Sequence, residues 1–280
     1  MIRVTEAGQG VWNNYHTHTY RCGHAEGDVS DYVKKAAQLG MNRIGISEHA
    51  YIAGEEGRRL RMTREDVPGY VKACRDMDGQ SGIRVLCGVE CDYDPLDEVF
   101  FKEYYLGEFG MDYLVGSVHG LKGRPDLMDV FANTHFGVKQ LRIYTDLYVK
   151  MIESRVFTFC AHPDLFGRPI EVAEGAGGWD ENAAAAAREI LDAAEANQAI
   201  LEINTSGIWK TRERGHGSII YPRQEFWEMA SGRDIRVIIN TDTHSIEKLD
   251  LDVDYGMELV SRYHLKRVEL ESKGAVAIEV

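Results

Sequence analysis

The chain has 280 residues, of which 44% are hydrophobic and 28% are charged, and its formal net charge is −13. This length predicts one large domain or two small ones, and it allows a sizeable core without disulfide or metal staples. The acidic balance argues against a nucleic-acid binder, which needs a basic surface. No apolar stretch reaches the roughly 20 residues of a membrane span. We therefore expect neither nucleic acid nor a membrane as a partner.

Short apolar runs alternate with longer segments of helical period along the chain. The runs rich in Val, Ile, Phe or Tyr are predicted strands, at residues 12–15, 43–47, 84–91, 112–118, 156–160, 199–203 and 236–240. The predicted helices between them are residues 28–39, 64–77, 96–109, 139–154, 181–197, 223–231 and 253–264. The alanine-rich segment 181–197 has the highest helix propensity, and Asp180 is its predicted N-cap.

Strands that alternate with helices predict an α/β protein with a parallel sheet, because a parallel connection needs a crossover. Seven such units over 280 residues fit a TIM-like (β/α)₇ barrel, which lacks one unit of the (β/α)₈ form. A doubly wound open sheet is the alternative. Both folds bind ligands at the carboxyl ends of the strands. Functional residues are therefore expected where the apolar runs end.

Histidines and acids do lie at those strand ends. His16 and His18 end the first run, and residues i and i+2 of an extended chain point to the same side. His24 follows eight residues after His16. The residues at the other strand ends are His49, Glu90, His119, His162, Asp242 and His244. Imidazole together with carboxylate suits zinc, manganese or iron. The sequence therefore predicts a metal site at the C-terminal ends of the strands.

The other three histidines are weaker candidates. His135 and His216 lie in predicted loops, where contact with a substrate is the functional alternative to a local hydrogen bond. His264 lies at the end of the last predicted helix and is expected to be exposed or locally hydrogen-bonded.

The five cysteines indicate a reducing compartment, because their number is odd and no two form a CxxC pair. The N-terminal segment MIRVTEAGQG lacks the basic and apolar parts of a signal peptide. We therefore expect a cytoplasmic protein.

Several motifs carry a family resemblance: HTHTYRCGHA, GISEHA, RLRMTREDVPGYV, GVECDYDP, VGSVHGL, AHPDLFGR and TDTHS. On these motifs the chain resembles the PHP (polymerase and histidinol phosphatase) family, and within it the monofunctional histidinol-phosphate phosphatases. The resemblance implies a single PHP domain over residues 1–280, folded as a distorted (β/α)₇ barrel. It also implies a cofactor of two to three divalent metal ions, which would be zinc, manganese or iron.

The resemblance also implies a role for each strand-end residue. The implied ligands of the first metal are His16, His18, Glu90 and Asp242. Those of the second metal are Glu90, as a bridge, with His119 and His162. Those of the third metal are His24, His49 and His244. The implied catalytic residues among them are Glu90, His119, Asp242 and His244.

The implied reaction is hydrolysis of a small phosphorylated metabolite, foremost L-histidinol phosphate, by a hydroxide that bridges two metals. A guanidinium can bind phosphate through two parallel hydrogen bonds. Arg168 and Arg223 lie near the motifs and are the predicted substrate contacts, with Arg21 and Arg61 as further candidates.

The acids Glu48 and Asp164 stand beside predicted ligands. They are candidates either to orient those histidines or to protonate the leaving alcohol.

Three alternatives stay open. The site would also serve a phosphoesterase for a sugar phosphate or a nucleotide, and residues 120–124 after SVH differ from the form expected in histidinol-phosphate enzymes. An amidohydrolase also uses HxH at a first strand, but it needs a metal-bridging lysine, and none lies at a strand end here. A metal-binding protein without catalysis is disfavoured by the complete ligand set. No oligomeric state is predicted.

Overall fold

The computed structural model describes residues 2–7, 12–53, 60–132, 136–168, 179–213, 215 and 219–272. The strands in these ranges are β1 (Ile2–Glu6), β2 (Arg43–His49), β3 (Arg84–Asp92), β4 (Tyr113–Ser117), β5 (Phe159–Cys160), β6 (Ile200–Asn204), β7 (Arg236–Asn240) and β8 (Lys266–Ser272). They form one sheet in the order β1-β8-β7-β6-β5-β4-β3-β2. The strands from β2 to β8 pair in parallel, whereas β1 pairs with β8 in antiparallel fashion.

Helices connect the parallel strands, as the predicted α/β class requires. They are α1 (Val29–Gln38), α2 (Asp66–Met77), α3 (Glu98–Phe100), α4 (Val138–Ser154), α5 (Glu181–Asn197), α6 (Ser206–Glu213), α7 (Gln224–Ala230) and α8 (Val253–Tyr263). Helix α3 continues into a wider π-type helix over Phe101–Glu108. The predicted N-cap Asp180 accepts a hydrogen bond from the backbone N–H of Ala183 at 2.8 Å. No helix within the described ranges is both long and apolar enough to cross a bilayer.

The predicted first strand at residues 12–15 is wrong. These residues lie outside the named strands, and segment 14–18 makes only a few backbone hydrogen bonds to two different neighbours, with one isolated parallel bridge between Thr17 and Thr243. The N–H of Gly45 on β2 donates to the Asn14 carbonyl at 2.7 Å. The N–H of His18 donates to the Thr243 carbonyl, just after β7, at 3.0 Å. Residues 14–18 therefore connect β2 with the end of β7 through backbone hydrogen bonds and join the two sides of the parallel sheet.

The seventh parallel strand comes from the other end of the sequence. Strand β8 was not predicted, and neither was β1, its antiparallel partner. Together they replace the expected strand at residues 12–15. Helix α6 was also not predicted, and the predicted strand at residues 156–160 is shortened to Phe159–Cys160. The count of seven parallel strands is correct, although one of its members was assigned to the wrong segment.

Apolar side chains fill both faces of the sheet. One cluster lies inside the curved sheet and draws on segment 12–18 and on most strands, with Tyr15, Leu86, Tyr113, Val115, Phe159, Ile200, Ile238, Val268 and Leu270 as members. Two larger clusters pack the helices against the outer face. The five cysteines all lie in the described ranges, where they are buried and free of disulfides. The core therefore supports the strand ends without covalent staples.

Candidate metal centre

Four of the predicted ligands meet where segment 14–18 passes between β3 and the end of β7. The Nε2 atom of His16 lies 3.4 Å from Glu90 Oε2 and 3.6 Å from Asp242 Oδ1. The Nε2 atom of His18 lies 3.5 Å and 3.2 Å from the same two oxygens. Both imidazoles are fully buried. The structure thus brings together the four residues that the family pattern gives to one metal.

The second carboxylate oxygen of Glu90 faces a different pair of histidines. Glu90 Oε1 lies 3.2 Å from His162 Nε2 and 3.6 Å from His119 Nε2. The two Nε2 atoms are themselves 3.2 Å apart. The Glu90 carboxylate therefore stands between two groups of imidazoles, with one oxygen toward each group.

A third group lies on the outer side of His18. The imidazole of His18 stacks on those of His49 and His244 at centroid distances of 4.1 Å and 4.2 Å. The His24 ring lies 4.6 Å from that of His244 and 5.2 Å from that of His49. His49 Nδ1 also approaches Glu90 Oε2 at 2.9 Å. All nine predicted ligands are thus in one cluster.

Cys22 was not among the predicted ligands, although its sulfur lies close to ligand atoms of His24 and His244. Burial, helped by the charge of Glu48, raises the pKa of this thiol to about 12. The thiol also donates to the Thr19 carbonyl at 3.2 Å. Cys22 therefore adds a buried thiol to the groups that surround His24 and His244.

Several ligand atoms are buried without a partner of their own. Among the described residues, Nε2 of His16, of His18 and of His244 is buried and accepts or donates no hydrogen bond. Leaving a buried polar atom unsatisfied costs about 1–3 kcal/mol, so a cluster of such atoms calls for an explanation. Nitrogen and carboxylate donors that converge in this way fit a divalent cation.

Three imidazoles of the cluster have a carboxylate next to Nδ1, the ring nitrogen opposite the Nε2 atom that faces the cluster. Glu202 Oε1 lies 2.8 Å from Nδ1 of His16, and Asp92 Oδ1 lies 2.5 Å from Nδ1 of His119.

Glu48 Oε1 lies 3.4 Å from Nδ1 of His18. This contact fits the orientation of a histidine, which is the first of the two roles expected of Glu48. A carboxylate at Nδ1 fixes the ring and directs Nε2 toward a metal. Sequence analysis missed Glu202 and Asp92, although an acid inside the apolar run 199–203 was a signal for Glu202.

The two acids of the cluster are held in their ionised form. Burial raises the pKa of Glu90, but the charges of His16, His49 and His119 outweigh it, and the net shift is downward. For Asp242, burial is likewise outweighed by Lys210 and His16. Ionised carboxylates are the form that binds metals.

Lys210 on α6 is a neighbour of the cluster that sequence analysis missed. Its Nζ atom donates to Ser206 Oγ and to the Tyr221 hydroxyl, both at 3.0 Å, and lies 3.7 Å from Asp242 Oδ2. Burial alone lowers the pKa of Lys210, but Tyr221 and Asp242 raise it above its ordinary value. Four of the five residues in the segment KTRER are charged, so no pattern marked this lysine.

The two arginines predicted to contact the substrate, Arg168 and Arg223, differ in the groups that they contact. Arg168 donates to the Val130 carbonyl at 2.5 Å, and its guanidinium lies 4.8 Å from the centre of the Phe131 ring. That ring is 5.4 Å from the imidazole of His119, so Arg168 lies near the cluster. Arg223 is buried, and its guanidinium donates to Glu225 at 2.8 Å.

The two further arginines are also paired. Arg21 binds Asp28, and Arg61 binds Asp92 at 2.8 Å. Asp164 accepts a hydrogen bond from the Arg223 backbone N–H at 2.5 Å, and burial raises its pKa to about 7.

Among the weaker candidates, His264 is exposed, as expected. His135 and His216 lie outside the described residues.

The family profile described as "PHP domain" matches residues 14–206. A protein of Deinococcus radiodurans named "Probable histidinol-phosphatase" is 27% identical over 238 residues, which cover 82% of this chain and 85% of the relative. A crystal structure from Listeria monocytogenes shares 23% identity, covers 87% of this chain and 99% of its own, and has a TM-score of 0.73.

A second structure similar to this chain is that of histidinol phosphate phosphatase from Lactococcus lactis, complexed with zinc, L-histidinol and phosphate. It has 16% identity and a TM-score of 0.68, and the likeness covers 91% of this chain and 95% of that one. At these identities the two structures support the fold. The profile spans more than half of the chain and includes seven of its nine clustered side chains. The chain therefore belongs to the PHP domain family.

Proposed function

We propose that this protein is a metal-dependent phosphatase that hydrolyses L-histidinol phosphate to L-histidinol and phosphate. The observation that carries the proposal is the position of the Glu90 carboxylate between two groups of histidines. The name of the Deinococcus radiodurans relative supports the substrate, as do the zinc, L-histidinol and phosphate in the Lactococcus lactis structure. The protein's partner is then a small phosphorylated metabolite.

We propose three metal positions, held by the three groups of the cluster. The first position is assigned to His16, His18, Glu90 and Asp242. The second is assigned to Glu90, His119 and His162. The third is assigned to His24, His49 and His244. Zinc, manganese and iron all suit these donors.

When bound, divalent metals lower the pKa of water and offset the negative charge of a phosphoryl group. The chain's own contribution is orientation. Glu90 would contribute to both of the first two positions, because its two oxygens face different histidine pairs. Glu202 and Asp92 fix the imidazoles of His16 and His119. We therefore assign the catalytic roles to Glu90, His119, Asp242 and His244.

Two further proposals concern the whole chain: its division into domains and its location in the cell. We propose that residues 1–280 form a single domain, because β1 and β8 belong to the same sheet. We also propose a cytoplasmic location, in keeping with five buried, free cysteines.

The test is phosphate release by the purified protein after loading with manganese or zinc. The substrates are L-histidinol phosphate, a sugar phosphate, a nucleotide and p-nitrophenyl phosphate. Glu90→Gln is expected to reduce turnover by at least about a hundredfold, because it removes the charge shared by two positions. Glu103→Gln, an exposed acid, is the control and should act as wild type.

Good turnover of another monoester without turnover of L-histidinol phosphate would overturn the substrate assignment. Full activity of the metal-free protein, or wild-type activity of Glu90→Gln, would overturn the metal-dependent reaction.

A further inference from the structure

The ammonium of Lys210 lies beside the metal cluster with a pair of neutral partners. Lys210 follows β6 on helix α6, and its Nζ atom donates to Ser206 Oγ and to the Tyr221 hydroxyl at 3.0 Å each. Its side chain is 21% exposed, so the residue is anchored by these hydrogen bonds but is not fully buried. A neutral oxygen satisfies a donor but does not balance a positive charge.

The carboxylate nearest to Lys210 is that of Asp242, which also belongs to the metal cluster. Asp242 Oδ2 lies 3.7 Å from the ammonium, while Oδ1 of the same residue faces His16 and His18. Once Asp242 binds a metal, most of its negative charge is shared with that metal. The charge of Lys210 is then left without a dedicated counter-charge at a partly buried position, which is unfavourable.

A second cation, Arg168, lies near the His119 part of the cluster. The guanidinium of Arg168 is positioned by the Val130 carbonyl and by the Phe131 ring, which lies beside His119.

We infer that Lys210 is a phosphate-binding residue, whose ammonium contacts the phosphoryl group of the substrate while the metals hold its other oxygens. This inference rests on the proposed phosphatase function and names a contact of that same site. The phosphoryl dianion would supply the counter-charge that Ser206 and Tyr221 do not, and an ammonium-to-phosphate hydrogen bond is of the strong, charge-assisted kind.

The test compares Lys210→Met with Lys248→Met. Lys248 lies against the ring of Trp209, the residue before Lys210, and pairs with Glu213, so it is a matched lysine outside the cluster. The first measurement is calorimetric binding of inorganic phosphate to the manganese-loaded protein. The second is the metal content of each variant. The third is KM and kcat for L-histidinol phosphate.

For Lys210→Met we expect phosphate affinity to fall, and KM to rise, by about tenfold or more, with metal content unchanged. Lys248→Met should match the wild type in all three measurements. Lys210→Arg keeps the charge and should retain part of the affinity. Tyr221→Phe removes one anchor and should weaken phosphate binding less than Lys210→Met does, which keeps the test available if Lys210→Met does not fold.

Unchanged phosphate affinity in Lys210→Met would overturn the inference. So would a loss of metal with unchanged phosphate affinity of the remaining loaded protein, because Lys210 would then only position Asp242. A failure of the proposed function is a separate result: the wild type would turn over no phosphate monoester. Even then, calorimetric binding of inorganic phosphate would show whether Lys210 contacts phosphate.

Discussion

The imidazole Nδ1 of His16 and the carboxylate Oε1 of Glu202 lie 2.8 Å apart, and both side chains are fully buried. The other carboxylate oxygen of Glu202 accepts the backbone N–H of His162 at 3.0 Å. One acid on β6 therefore orients residues in two groups of the metal cluster. It contacts no metal position itself, so its effect on metals acts through the histidines that it holds.

Glu202→Gln should weaken metal binding by about 10–100-fold, the usual cost of losing a carboxylate that orients a histidine ligand. An amide lacks the charge and can present an N–H to His16 Nδ1, which disfavours the tautomer with Nε2 ready for a metal. Metal titration of the apo-protein measures the effect. Glu228→Gln, an exposed acid on α7, is the control. Equal metal affinities of the two variants would contradict this role for Glu202.

Asp92→Asn should act on the second metal position. Asp92 lies 2.5 Å from His119 Nδ1 and also pairs with Arg61. Asparagine keeps an acceptor but removes the charge, so we expect kcat/KM to fall by about 10–100-fold with the metal at this position lost first. The number of metal ions bound per protein, measured when metal is limiting, checks which position loses its metal first. Asp126→Asn, in an exposed pair with Arg124, should leave both quantities unchanged.

Removal of metal should destabilise the fold. A ligand that binds only the native state adds about 2.7 kcal/mol when its concentration is 100 times its Kd. Thermal unfolding with a chelator should therefore occur at a lower Tm than with zinc or manganese, and adding metal back should restore it. An identical Tm in both conditions would show that the cluster binds no metal in the native state.

Gly45→Ala should destabilise the protein by about 1–3 kcal/mol through overpacking. A Cβ atom at Gly45 would lie 2.8 Å from the Tyr15 Cα atom, which belongs to the backbone just before His16 and cannot move aside easily. Gly69→Ala is the matched control, because that glycine faces open space on α2. The control should gain about 0.5–1 kcal/mol. Urea unfolding measures both, and a similar stability for the two variants would contradict the packing argument.

The sequence predicted the membership of the cluster because parallel strands end at one edge of a sheet. Polar residues at the ends of apolar runs, such as His49 at the end of β2 and His162 just after β5, are therefore brought together by topology alone. The same rule placed Glu48 beside a ligand. Helix α5 and its N-cap Asp180 were predictable for a different reason, since propensity and capping act within one segment.

Features that depend on distant pairing were not predictable. Residues 12–15 belong to a segment whose backbone hydrogen bonds are divided between β2 and the end of β7, and these bonds are too few to form a named strand. Strand β8 gains its regular structure from pairing with β1 and β7. Lys210 lies in a charged helix, and its approach to Asp242 depends on how α6 packs beside the end of β7. Such relationships arise from tertiary packing and leave no local pattern.

The pairing of β1 with β8 sets an order for the formation of the site during synthesis. Val4 finds its partner Leu270 only after all the residues between them have been synthesised. Glu269 of β8 also binds the Asn13 amide at 3.1 Å and the Tyr15 hydroxyl at 2.5 Å, which anchors the segment that carries His16 and His18. These two histidines are synthesised long before the strand that anchors their segment. A nascent chain would therefore hold them unanchored until β8 has been synthesised, so metal capture at that position should follow the synthesis of β8.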